Sequence, residues 1–163
     1  MDLLGILGRL VTAQVDFVLI GGLAATVHGS PTVTGDVDIC HDRRPDNLGR
    51  LAATLERLGA RLRGAEDSPW RPTPEALALS DILALTTDLG PLDLLAAPAP
   101  FRGYDELCQF AIEIDLGLDS AVRVVGLEAL IAMKESTDRP KDRIEVVILD
   151  ALRNETSDYQ HGD

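Results

Sequence analysis

Apolar positions along the chain follow two rhythms that alternate. Leu3, Leu4, Leu7, Leu10 and Val11 recur at the spacing of one helix face, so 3–13 reads as an amphipathic helix. The run Phe17-Val18-Leu19-Ile20 then gives a buried strand over 15–20, and after Gly21-Gly22 the segment 23–28 has helical composition. His28-Gly29-Ser30-Pro31 breaks that helix, because Pro31 pushes Ser30 away from helical angles. A strand is expected over 33–40. A helix follows from Pro45 to about Leu58, with Leu48, Leu51, Leu55 and Leu58 as its stripe and Gly59 as its stop. Two apolar runs, 82–87 and 92–95, flank Asp88-Leu89-Gly90-Pro91, whose composition predicts a hairpin turn. A second strand pair is expected over 111–116 and 122–125, then a helix over 127–133. The last helix, over 144–152, carries Ile144, Val147, Ile148 and Leu152. Between these elements, 64–74 is a loop holding Trp70, the one tryptophan, and 154–163 is a polar tail expected to fray.

Helices and strands interleave, but the hairpins argue against an all-parallel sheet. The expected fold class is therefore α/β of the α+β kind, a mixed β-sheet flanked by helices. With 163 residues, 45% of them apolar and 26% charged, the chain fits one domain over 1–153. No apolar run approaches the roughly 20 residues of a membrane span. Residues 1–10 carry Asp2 and no basic stretch that would open a secretory signal, so a cytoplasmic protein is expected. Cys40 and Cys108 are too few for a disulfide framework and match no zinc spacing, so they read as small apolar residues. The net charge of −12 disfavours a broad nucleic-acid surface. A local basic face stays open, because Arg43, Arg44, Arg50, Arg57, Arg61, Arg63 and Arg71 gather mid-chain.

The chemistry concentrates in the stretch from Gly21 to Ile39. A diglycine closes a strand and precedes a helix, which would turn backbone N–H groups toward an anion. Asp36-Val37-Asp38-Ile39 follows, and on a strand both carboxylates would share one face while Val37 and Ile39 enter the core. Asp93 is a third acid, set among Leu92, Leu94 and Leu95, where a buried unpaired charge would cost several kcal/mol. If the two strands are neighbours, three carboxylates meet and suit a pair of Mg²⁺ ions.

Leu19-Ile20-Gly21-Gly22, Asp36-Val37-Asp38-Ile39 and Leu92-Asp93-Leu94-Leu95 together resemble the nucleotidyltransferase superfold related to DNA polymerase β. The likeness is to the small AbiEii/MenT-type nucleotidyltransferases, commonly toxins of bacterial toxin–antitoxin pairs. The segment 133–142, with Lys134, Arg139, Lys141 and Asp142, is similar to that family's late basic element. The resemblance implies that Asp36 and Asp38 hold Mg²⁺ or Mn²⁺, with Asp93 as third ligand or as the base for an acceptor hydroxyl. It implies that Gly21, Gly22 and Ser30 cradle the phosphates of an NTP and that Lys134 neutralises them, with Arg139 and Asp142 touching the nucleotide or positioning Lys134. Many relatives carry serine where this chain has Gly22, so Ser30 or Thr34 would supply any phosphate-binding hydroxyl. Phosphorylation of Thr34 would place about −1.5 to −2 of charge beside the carboxylates. The activity implied is NMP transfer to an acceptor hydroxyl, the 3′ end of tRNA among the candidates, in a toxin held by an antitoxin. A protein or small-molecule acceptor, or a binding module without turnover, are the alternatives.

Overall fold

The computed structural model describes residues 1–160. Its elements in chain order are α1 (Leu3–Thr12), β1 (Phe17–Ile20), α2 (Gly21–Val27), β2 (Val37–His41), α3 (Pro45–Arg57), β3 (Arg61–Leu62) and α4 (Pro74–Leu79). They continue with β4 (Ile82–Thr87), β5 (Gly90–Leu95), α5 (Tyr104–Cys108), β6 (Ala111–Ile114), β7 (Val122–Val125), α6 (Leu127–Thr137) and α7 (Pro140–Gln160).

The strands form one mixed sheet in the order β3-β4-β5-β2-β1-β7-β6. β2 runs antiparallel to β1 but parallel to β5, while β4 and β5 make the expected hairpin and β6 and β7 the expected second pair. Parallel pairing of β2 with β5 places Asp38 opposite Asp93 and Cys40 opposite Leu95. Because the side-chain period is 2, one sheet face carries Asp38, Asp93 and Ala84, and the other Val37, Ile39, Leu92, Leu94, Leu83 and Leu85.

That second face is the core. Its residues join Ile6, Leu7 and Leu10 of α1 and Leu48, Leu51 and Leu55 of α3 in one buried cluster. Each fully buried leucine or isoleucine contributes about 1.5–3 kcal/mol relative to exposure, so the helical stripes and strand alternation fix the register. α2 packs on β1 and β2, and α6 on α2 and α7, which leaves the site face partly open above β4 and β5.

Several boundaries depart from the sequence expectation. β2 begins at Val37 rather than 33, so Thr34 and Asp36 sit on the approach to the strand. The glycines form the first turn of α2 instead of preceding it. β3, α4 and α5 are short elements that sequence periodicity does not announce. The expected polar tail over 154–163 is helical as far as Gln160, and its last three residues lie outside the described residues. Among the described residues no helix is long and apolar enough to cross a membrane. Cys40 is buried, Cys108 is half-buried, and both are free.

Candidate functional site

Asp38 and Asp93 face each other across β2 and β5, and Asp36 reaches the same spot from just before β2. Ligand oxygens from all three lie within 4.8 Å of one another. Burial, and then the charges of Asp36 and Asp93, push the Asp38 carboxyl up to about 7, against the smaller opposing pull of Lys134 and Arg63. Burial also raises Asp93, although the hydrogen bond and charge of Arg63 oppose it. Three carboxylates held this close repel one another, and a divalent cation among them would favour their anionic forms. The donor set is all oxygen, which suits Mg²⁺ or Mn²⁺, so the residues present fit the metal that the resemblance implies.

The diglycine has a steric reason. Gly21 has φ +70°, and a Cβ there would stand 2.1 Å from Asp38 Oδ2. A Cβ on Gly22 would stand 2.7 Å from Thr34 Oγ1. Only bare backbone lets the start of α2 lie against both Asp38 and the loop carrying Thr34. The Thr34 hydroxyl in turn donates to Asp36 Oδ1 at 3.1 Å, which steadies the acid that is off the strand.

On the other side of Asp38 a cavity of about 160 Å³ is lined by Gly21, Leu95, Met133, Lys134, Thr137 and Arg139. Lys134, near the end of α6, is largely buried, with its side chain 13% exposed. Its ammonium pairs with Asp142 Oδ1 at 3.4 Å and with Glu145. Asp142, fully buried at the start of α7, also accepts from the Thr137 hydroxyl and from Arg139 Nε at 2.7 Å. Those two donors, with the charges of Lys134 and Arg139, outweigh burial and hold its carboxyl below the usual range. Asp142 therefore positions Lys134 and Arg139 and does not itself line the cavity.

Of the residues singled out from sequence, Gly21, Gly22, Thr34, Asp36, Asp38 and Asp93 come together, and Lys134 and Arg139 share a cavity with Asp38. Ser30 does not join them: it is buried, and its hydroxyl is spent on the Thr32 hydroxyl and amide. His28 is a structural tie, its Nε2 lying 2.7 Å from the Val125 carbonyl. Two contacts escape the sequence. Arg63 bonds Asp93, and Glu145 bonds Lys134, and neither residue sits in a motif. Of the seven mid-chain arginines, Arg43, Arg44, Arg50, Arg61 and Arg63 are each paired with an aspartate, which reduces the free positive charge of that region.

No protein-family profile and no curated protein matches the chain by sequence. Solved structures do match in shape. The lincosamide antibiotic adenylyltransferase LnuA, determined with lincomycin bound, aligns over 92% of this chain and 95% of its own with a TM-score of 0.63 and 17% identity. ANT(2")-Ia, determined with adenylyl-2"-tobramycin, aligns over 93% of this chain and 94% of its own with a TM-score of 0.52 and 18% identity. The chain has the fold of these nucleotidyltransferases, a mixed sheet flanked by helices.

Proposed function

We propose that this chain is a metal-dependent nucleotidyltransferase that moves an NMP from an NTP to a hydroxyl of a small-molecule acceptor. The observation that carries this is the convergence of Asp36, Asp38 and Asp93 beside a cavity lined by Lys134 and Arg139. All of it is proposed for a single domain over 1–153.

Asp36, Asp38 and Asp93 would hold Mg²⁺ or Mn²⁺. A divalent ion there supplies positive charge to the triphosphate and to the attacking oxygen. Lys134 and Arg139 bind the triphosphate and offset the charge that builds on the leaving group. The backbone of Gly21 and Gly22 allows phosphate to approach where a side chain would block it. Asp93 takes the proton of the acceptor hydroxyl. The acceptor oxygen bonds the α-phosphorus, the bond from that phosphorus to its bridging oxygen breaks, and pyrophosphate leaves.

A small-molecule acceptor leads for two reasons. Two structural neighbours carry antibiotics in their descriptions: LnuA is a lincosamide antibiotic adenylyltransferase, and ANT(2")-Ia was determined with adenylyl-2"-tobramycin. The pairing of most mid-chain arginines with aspartates, on a chain of net charge −12, leaves little to hold an RNA backbone. The tRNA 3′ end, with a toxin role and a cognate antitoxin, is the second reading, resting on the resemblance of the motifs. Incubation with each α-labelled NTP, Mg²⁺ and either a panel of hydroxylated amines and sugars or total tRNA tests both. Label on a small molecule supports the first reading, label on tRNA replaces it with the second, and NTP binding without pyrophosphate release leaves a binding module. Asp38→Asn abolishes transfer and leaves thermal stability unchanged or raised, because it removes a like charge from the partly buried cluster. A variant with wild-type rate removes the site assignment.

A further inference from the structure

We propose that Arg63 is the positioning residue of this site, holding Asp93 in place by a grip that crosses β4 and depends on the small side chain of Ala84. The proposal rests on the nucleotidyl-transfer reading above.

The sheet register makes the grip possible. Asp38 lies opposite Asp93, and Asp93 lies opposite Ala84. Arg61 and Leu62 lie opposite Thr86 and Leu85, and the Arg63 amide continues that ladder by donating to the Ala84 carbonyl at 2.9 Å. Asp38, Asp93, Ala84 and Arg63 thus stand in one row across the open face. Between Arg63 and Asp93 only a methyl group intervenes, and the arginine reaches over it. Its Nη2 donates to Asp93 Oδ1 at 2.6 Å and to the Leu85 carbonyl at 2.9 Å. The carbonyl anchors the guanidinium to β4, so the guanidinium fixes the carboxylate and does not merely follow it. Among the described residues no hydrogen bond reaches Oδ2, which is left for a metal or for the acceptor proton.

A comparison with a neighbouring arginine of the same segment separates this grip from an ordinary surface pair. Arg61 meets Asp88 at 3.3 Å with side chains 49% and 65% exposed, whereas Arg63 and Asp93 are 35% and 22% exposed. The first pair is screened by water, and the second borders the partly buried carboxylates. Partners that hold a metal-binding carboxylate commonly change affinity or rate 10–100-fold when lost.

The test measures Mn²⁺ affinity by calorimetry without nucleotide, and separately kcat and KM for NTP, in Arg63→Gln, Arg63→Lys, Ala84→Leu and Arg61→Gln. Thermal unfolding first establishes that each variant is folded. Arg63→Gln lowers Mn²⁺ affinity about 10-fold and kcat about 10–100-fold, with KM for NTP within about twofold of wild type. Arg63→Lys recovers part of both, because the ammonium keeps one contact. Ala84→Leu reproduces the Arg63→Gln losses although every charge is retained, and Arg61→Gln changes neither. The sign is diagnostic, since removing a positive charge by itself would strengthen cation binding. An Arg63→Gln protein that binds Mn²⁺ as tightly as wild type, or more tightly, overturns the proposal. Wild-type protein that binds Mn²⁺ but transfers no nucleotide overturns the transfer reading while the affinity series still reports on Arg63.

Discussion

At the scale of single residues, Gly21 is where the least chemical change should do the most damage. Alanine there must take φ +70° and place a Cβ 2.1 Å from Asp38 Oδ2, so the acid has to move. Gly21→Ala should cost about 1–3 kcal/mol in urea denaturation from backbone strain and weaken Mn²⁺ binding at least about 10-fold. Gly22→Ala meets the Thr34 hydroxyl instead and should cost less. His41 makes the pH prediction. It is buried at the end of β2, neither ring nitrogen has a hydrogen-bond partner, and burial, with the charge of Arg43, lowers it to about 4. The unfolded chain takes up this proton near pH 6.5 and the folded one only near 4, so stability falls as pH drops through that window. Between pH 7.5 and 5.0 the loss is on the order of 2 kcal/mol, and the difference between wild type and His41→Gln in paired denaturation curves isolates it. Equal slopes would show that His41 is not buried as a neutral ring. The convergence of the three aspartates is legible in the sequence because an acid in apolar surroundings, such as Asp93, must face solvent or other polar groups. Arg63 and Glu145 could not, because their partners are 30 and 11 residues away and are fixed by register and helix packing.

At the scale of elements, the long apolar stripes of α1 and α3, the β4–β5 hairpin and the β6–β7 pair were legible because burial of one face outweighs local propensity. β3, α4 and α5 have two to six residues, too short for a period to show. β2 starts later than the sequence suggests for a related reason: Thr32, Val33 and Thr34 favour strands, but among the described residues no strand pairs with them, and Thr34 turns to Asp36. Likewise α7 runs beyond its apolar stripe, since a polar segment continues a helix once its first turns are docked. Asp142 does that docking, holding Thr137, Lys134 and Arg139 from the first turn of α7. Asp142→Ala should destabilise the protein by about 1–3 kcal/mol and raise KM for NTP, because Lys134 and Arg139 lose their orientation. Thermal unfolding and steady-state kinetics check the two parts, and a stable variant with normal KM would remove the positioning role.

At the scale of the whole molecule, the parallel pairing of β2 with β5 decides everything else, because it brings together acids 55 residues apart in the chain. Sequence supplied the acids and a mixed sheet, and topology supplied their neighbourhood. The acceptor side was not legible, since the openness above β4 and β5 and the pairing of the arginines are tertiary facts. An acidic molecule whose mid-chain arginines are mostly paired should not retard tRNA in native gels at 0.15 M salt, where phosphate contacts are already weakened. The most direct test of the central claim is pyrophosphate release coupled to mass spectrometry of the acceptor, with Mg²⁺, each NTP and a panel of hydroxylated small molecules. The account predicts stoichiometric pyrophosphate and an acceptor heavier by one NMP for wild type, and neither for Asp38→Asn. Release that is absent with every NTP and acceptor, tRNA included, or that persists in Asp38→Asn, would contradict it.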